Sequence, residues 1–285
     1  MTQTGPRWTA RAFLGRAFGM IRGNLEIFLL IAALWTILSA LVFMPIREDM
    51  REIMVMFEQM QQAGAPDPQQ QQALGEKVLP IIDDILLIAV VTMLFSAAAY
   101  TVWGRAVGLG RGKTLGSGTG RRFLMMLWRQ VSLLGYAVLI GIGTAIIGFL
   151  LLLIIGLLGG GQAIVELLVN LLTIALMIPL LVGFVISVAS TAVDDGRGIM
   201  ESLLSIQGRM AAPLLAGGAI LIGLAIITVA MAALMTGLSA GASLSTPALL
   251  VQNALNSMLM LTFVALGRAI YEQIGNSSAS GPAQT

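Results

Sequence analysis

Apolar runs long enough to cross a bilayer recur six times along the chain, each bounded by charge, Gly or Pro, over about 24–44, 81–103, 131–158, 163–192, 213–238 and 248–270. A helix needs roughly 20 apolar residues to span the hydrocarbon core. There, only helices and closed barrels satisfy every backbone donor and acceptor. The pattern therefore predicts an all-α, polytopic transmembrane helix bundle, a single integral membrane domain over 1–274, followed by a short polar tail, 275–285, read as disordered. The third and fourth spans exceed the minimum length and are expected to tilt.

The polar stretches between spans have a pattern of their own. Three segments share a plan of amphipathic stretch, polar turn and span: "RAFLGRAFGMIRGNLEIFLL" from Arg11, "RRFLMMLWRQVSLLGYAVLI" from Arg121 and "GIMESLLSIQGRMAAPLLAG" from Gly198. In the first, Phe13, Ala17, Met20 and Ile21 recur at helical spacing, and in the second Phe123, Leu124 and Leu127 do. Each reads as an amphipathic juxtamembrane helix lying along the membrane surface, and together they suggest three repeated two-span units. The loop over 46–79 breaks the pattern. Its first part, "REDMREIMVMFEQMQQ", puts Met50, Ile53, Phe57 and Met60 on one helical face, whereas the following "AGAPDPQQQQ" reads as a mobile linker.

Composition agrees with the spans: 57% of residues are hydrophobic and 11% charged, against about 25% charged in soluble domains. The chain has no Cys and no His, which removes thiol nucleophiles, imidazole acid–base chemistry and the usual zinc ligands. No metal, no cofactor and no nucleic-acid partner are expected. The net charge of +2 hides a strong asymmetry: thirteen Lys and Arg fall in one alternating set of segments and three in the other, the latter being Arg47, Arg51 and Lys77. Basic residues are retained on the cytoplasmic side, so both termini are expected there and 46–79 outside, where it carries Glu48, Asp49, Glu52, Glu58, Asp67 and Glu76. The basic residues before Leu38-Ser39-Ala40 are also ingredients of a cleaved signal, but the apolar run is too long and starts too late for one.

The stretch "GLGRGKTLGSGTGRR", Gly108 to Arg122, resembles a phosphate-binding loop. The G-x-x-x-x-G-K-[ST] pattern needs a glycine five residues before Gly112, where Val107 stands, and a strand before the loop, where a span stands. The alternative is a flexible cationic loop facing an anionic leaflet. Arg105, Arg111, Lys113, Arg121, Arg122 and Arg129 are then the candidate contacts to anionic lipid.

The segment "VDDGRGIMESLLSIQGRMAAPLLAGGAI", Val193 to Ile220, with its Asp194-Asp195-Gly196 loop, its Ser202 and Leu203 run and its Gly208 before the next span, resembles the bacterial glycerophosphoryl diester phosphodiesterase membrane domain family. The six-span layout with surface helices agrees. Some members are fused to a hydrolase domain whose metal site uses carboxylates and histidines. This chain, without His, is expected to be a stand-alone membrane module without that activity, in a bacterial inner membrane.

Ionisable groups inside a span are costly and call for an explanation. Glu166 lies near the outer end of the fourth span with Asn170 and Thr173 on its face, and the sixth span carries Gln252, Asn253 and Asn256 in its outer half. A polar cavity between these spans is one reading, and interhelical hydrogen bonding with an interfacial Glu is the other. Gly183, Ser187 and Thr191, and Ala219 with Gly223, form small-residue stripes, Pro179 predicts a kink, and Tyr100, Trp103 and Trp128 fit an inner aromatic belt. The expected role is that of a non-enzymatic multi-pass membrane protein that contacts lipids or assists partner proteins. The alternative is a small-molecule or lipid transporter using the polar cavity.

Overall fold

In a computed structural model, residues 8–62, 68–114, 116, 118–157, 162–193, 196–238 and 246–279 are described. Among the described residues ten α-helices follow one another: α1 Ala10–Gly23, α2 Leu25–Phe43, α3 Arg47–Gln62, α4 Pro68–Val78, α5 Ile82–Leu109, α6 Thr119–Leu157, α7 Gln162–Ala192, α8 Ile199–Ser205, α9 Ala211–Leu238 and α10 Thr246–Ala279. No strand occurs among the described residues. Five helical stretches are long and apolar enough to cross a membrane: Leu25–Phe43, Gln72–Leu109, Thr119–Ile155, Ile164–Ala192 and Leu250–Gly275. The remaining predicted span, the fifth, falls on α9, 28 residues long, of which the apolar stretch Ala211–Gly223 is described in full. The chain is an all-α helical bundle of membrane type.

The exposure pattern has a physical reading. Helix α2 buries Phe28, Ile31, Ala32, Trp35, Thr36 and Ser39, three or four residues apart, and exposes Leu30, Leu34, Ile37 and Leu41 on the other side. An apolar helix with only one face inside the protein needs an apolar medium for the other, and hydrocarbon supplies it. Exposed Leu86, Leu87, Leu139, Phe149, Leu215 and Ile222 extend the same surface over α5, α6 and α9.

The core lies between α10 and α7, with α2, α5 and α1 packed around them. Leu261, Val264, Leu266 and Ile270 of α10 and Ile186 and Val188 of α7 are all buried in one core cluster. Edge-to-face aromatic pairs join the helices: Phe28 with Trp103, Trp35 with Phe95 and Tyr100, and Tyr100 with Phe184. Tyr100 and Trp103 thus sit in the core and not in an interfacial belt. Their alternation with small Ala97, Ala99 and Gly104 on α5 lets two helices close over them. Trp128 alone of the three is outward-facing, 63% exposed.

Helix α1 stands on its own because Thr9 caps its start, accepting from the Ala12 N–H, and Asn24 leaves helical geometry at its end. Its apolar face, Phe13, Ala17 and Ile21, is buried. That face packs on α10 and α9 instead of lying on lipid. The third segment also breaks, after α8, where Gly208 adopts φ +81. The second segment does not: α6 runs unbroken for 39 residues, about 58 Å at 1.5 Å per residue. The stretch between Arg121 and Ile140 holds no Pro, and its one glycine, Gly135, does not break the helix, so the three expected units are not alike in form.

Two further expectations meet a different outcome, while a third, the helix over the first part of 46–79, is present as α3. The expected linker 63–72 is helical from Pro68, because Pro is favoured at a first helical position and Gln, Ala and Leu propagate well; 63–67 lie outside the described residues. The side chains of Phe57 and Met60 also lie outside them, while the helix α3 itself is present. An exposed ion pair, Glu52 with Lys77, joins α3 to the helical segment that follows, and Lys77 holds the Glu52 carboxyl below its usual range. Finally, 275–279 of the expected tail continue α10, and 280–285 are outside the described residues.

Candidate functional site

The basic loop after α5 is folded, not slack. Arg105, 5% exposed at the end of the α5 core face, donates from Nε to the carbonyls of Lys113 (2.9 Å) and Thr114 (3.1 Å). The chain can turn back onto it because Gly110 and Gly118 take φ +87 and +80, a region open to glycine, with a 3-10 turn over Arg111–Lys113 between them. Thr119 then closes the start of α6, its hydroxyl donating to the Gly116 carbonyl (2.6 Å). The glycines that resemble a phosphate loop therefore serve a turn that covers a buried arginine.

This sorts the six basic candidates. Arg105 is inside and holds the loop. Arg129 is partly buried and donates from Nη2 to the carbonyl of Gly196, joining α6 to the segment before α8, with Glu201 nearby as counter-charge. Arg122 packs its guanidinium against Gly118 and is half-buried. The side chain of Arg111 is outside the described residues. Lys113 and Arg121 are exposed. Presented cations are thus Lys113 and Arg121, with Arg122 at their edge.

Other basic residues of the same set are engaged with the protein. Arg209 lies over the Trp8 ring (5.2 Å), and Arg197 and Arg268 flank Tyr271 (5.6 and 5.4 Å). Arg268 also pairs with Glu272 (2.9 Å), and Arg16 donates to the buried Gln273 (3.1 Å). Sequence counting treats all thirteen alike, whereas packing engages some of them and leaves others, such as Arg11, Arg22, Lys113 and Arg121, exposed.

The expected polar cavity is not assembled as anticipated. Glu166 and Asn170 are exposed and line an open groove of about 440 Å3 whose other wall is α6, through Ala145, Gly148, Phe149 and Leu152. Gly148 admits Val169 of α7 at that crossing: a Cβ on it would lie 3.0 Å from the Val169 side chain. Gln252 and Asn256 on α10 are exposed and Asn253 is half-buried, and none of the three lines this groove. Thr173 turns its hydroxyl to the Val169 carbonyl (2.8 Å). Among the described residues, no cluster of three or more Asp and Glu gathers that could hold a metal ion.

Small residues do their work at other places than the stripe on α9, where Ala219 is exposed and a Cβ on Gly223 would meet nothing within 4 Å among the described residues. On α7 the stripe receives α8: a Cβ at Gly183 would lie 2.6 Å from Leu203 and 2.9 Å from the Ile199 carbonyl, and Ser187 donates to the Arg197 carbonyl (2.7 Å). In the segment 193–220, Gly196 takes φ +63, Ser202 is buried and Leu203 fills the Gly183 notch, while Asp194 and Asp195 lie outside the described residues. Helix α7 passes through Pro179 and remains one helix.

Two acidic residues that the sequence reading passed over, Asp83 and Asp84, sit exposed in the first turn of α5. Another polar contact it missed is the Ser96 hydroxyl donating to Gln130 (2.6 Å), which joins α5 and α6. Only tertiary contact brings these two residues together. Comparison with protein-family models, with curated proteins and with solved structures finds no match for the chain.

Proposed function

We propose that the chain is a non-enzymatic membrane module that holds anionic lipid headgroups at a preformed basic rim. The observation that carries this reading is the loop pinned on Arg105: it presents Lys113 and Arg121 without the ordering cost a slack loop would incur on binding. On the basic-residue asymmetry this rim faces the cytoplasm, with both termini on that side of a bacterial inner membrane. The resemblance of 193–220 to the glycerophosphoryl diester phosphodiesterase membrane domain belongs to the same proposal, as a stand-alone member without the hydrolase.

A transporter is the second reading, favoured by the groove that carries Glu166 and Asn170. It has less support, because the amides of α10 do not join that groove.

Native mass spectrometry of the protein during stepwise delipidation tests the first reading. Each basic group near an anionic surface contributes about 1 kcal/mol. Neutralising Lys113, Arg121 and Arg122 together to Gln is therefore expected to weaken retention of phosphatidylglycerol roughly 100-fold, leaving phosphatidylcholine unaffected. Equal retention of both lipids by the unaltered protein would remove the headgroup site.

A further inference from the structure

A second groove, of about 460 Å3, lies where five elements meet, with Trp35 of α2, Met50 of α3, Ile88 and Tyr100 of α5, Gln130 of α6 and Met260 of α10 among its walls. Along α5 it runs from Ile85 to Tyr100, about 22 Å at 1.5 Å per residue, within a hydrocarbon layer roughly 30 Å thick. Most of that length is apolar. Polar groups gather at one end, where Ser96, Tyr100 and Gln130 line it together.

One of these groups is left with an unused donor. The Ser96 hydroxyl occupies Gln130 Oε1, and Gln130 Nε2 is buried with no acceptor among the described residues. Tyr100, 6% exposed, lines the same end of the groove. Buried donors without acceptors are costly and rare. What the groove lacks is an acceptor at its polar end and an apolar chain along the rest.

Depth identifies the occupant. Gln130 follows Arg129 and the outward-facing Trp128, so the polar end lies close to the interface, where the ester carbonyls of a glycerolipid lie. We infer that this groove seats one acyl chain of a bilayer glycerolipid, whose ester carbonyl accepts from Gln130 Nε2 and the Tyr100 hydroxyl. The site rests on the membrane reading above but not on headgroup charge.

The full-length protein in detergent, given phosphatidylcholine with a photoactivatable diazirine on one acyl chain, tests it. Cross-links are expected on the 89–96 segment of α5. Gln130→Leu, which removes the donor, is expected to cut that labelling about tenfold, the cost of one well-made hydrogen bond, and Ala89→Phe, which fills the groove, to cut it at least as much. Val90→Phe, on an exposed position outside the groove, is expected to leave it unchanged. Unchanged labelling in both groove variants would overturn the site. Loss in Ala89→Phe alone would overturn the ester assignment. If Ala89→Phe fails to fold, Gln130→Leu decides by itself. Because the probe carries no net charge, labelling that survives neutralisation of Lys113, Arg121 and Arg122 separates this site from the basic rim.

Discussion

Gly267→Ala is expected to lower stability by about 3 kcal/mol, the upper end of what overpacking costs. Gly267 is where α10 crosses α7. A Cβ there would lie 2.2 Å from the Val185 carbonyl oxygen and 2.5 Å from its carbon. Both are backbone atoms, so no rotamer change relieves the clash and the helices must move apart. Separation opens the core cluster that holds Ile186, Val188, Val264, Leu266 and Ile270. Gly223→Ala is the matched control. A Cβ at Gly223 would meet nothing within 4 Å among the described residues, and by helix propensity alone the substitution is expected to stabilise by up to about 1 kcal/mol. Unfolding of the two variants in mixed micelles, followed by circular dichroism, checks the pair. A Gly267→Ala protein as stable as the original would mean that α7 and α10 do not cross this closely.

Trp103→Ala is expected to cost about 3–5 kcal/mol, as for large aromatic truncations in other cores. Trp103 is fully buried, its indole N–H donates to the Leu261 carbonyl (2.7 Å), and its ring meets Phe28 edge to face at 5.4 Å. The substitution removes the largest buried side chain and the one hydrogen bond it makes from α5 to α10. Trp103→Phe keeps a ring but not the donor, and is expected to fall between. Trp128→Ala, at a position 63% exposed, is expected to change stability little, because its ring faces outward. The ratio of the two alanine effects, read from the same unfolding transition, separates a core tryptophan from an interfacial one. Similar effects at both positions would contradict the packing described for α5.

The contrast between these two tryptophans shows where the sequence is legible. Span positions follow from transfer energy, which is summed locally, and so α2, α5, α6, α7 and α10 fall on the apolar runs. The buried face of α1 follows from its periodicity for the same reason. Which glycine meets a backbone, or which aromatic turns inward, depends on the azimuth of a helix among its neighbours, and an all-apolar helix carries no amphipathic signal to fix it. Gly267 and Trp103 are therefore invisible in the pattern, whereas Ala219 and Gly223 look like a packing stripe and are not one.

The basic loop shows the same limit in electrostatics. Counting charges predicts a side of the membrane, a collective property, but not which cations are presented. Arg105 carries no mark in the sequence that distinguishes it from Arg121, yet one is buried under two carbonyls and the other is exposed. Glu166 is conspicuous as an acid in an apolar run, and its groove is made with α6 rather than with the amides of α10. The Ser96 and Gln130 pair is 34 residues apart in sequence and has no local signal at all.

Sidedness tests the central claim, a bundle that crosses the membrane with its basic segments gathered on one face. The chain contains no cysteine, so a single introduced thiol reports without background. Gln207→Cys, in the exposed turn before α9, and Gln72→Cys, on exposed α4, are separated by three of the spans read from the sequence. In sealed vesicles of one orientation, a membrane-impermeant maleimide is expected to label one of them from outside and the other only after permeabilisation. Labelling of both from the same side of intact vesicles would contradict the account.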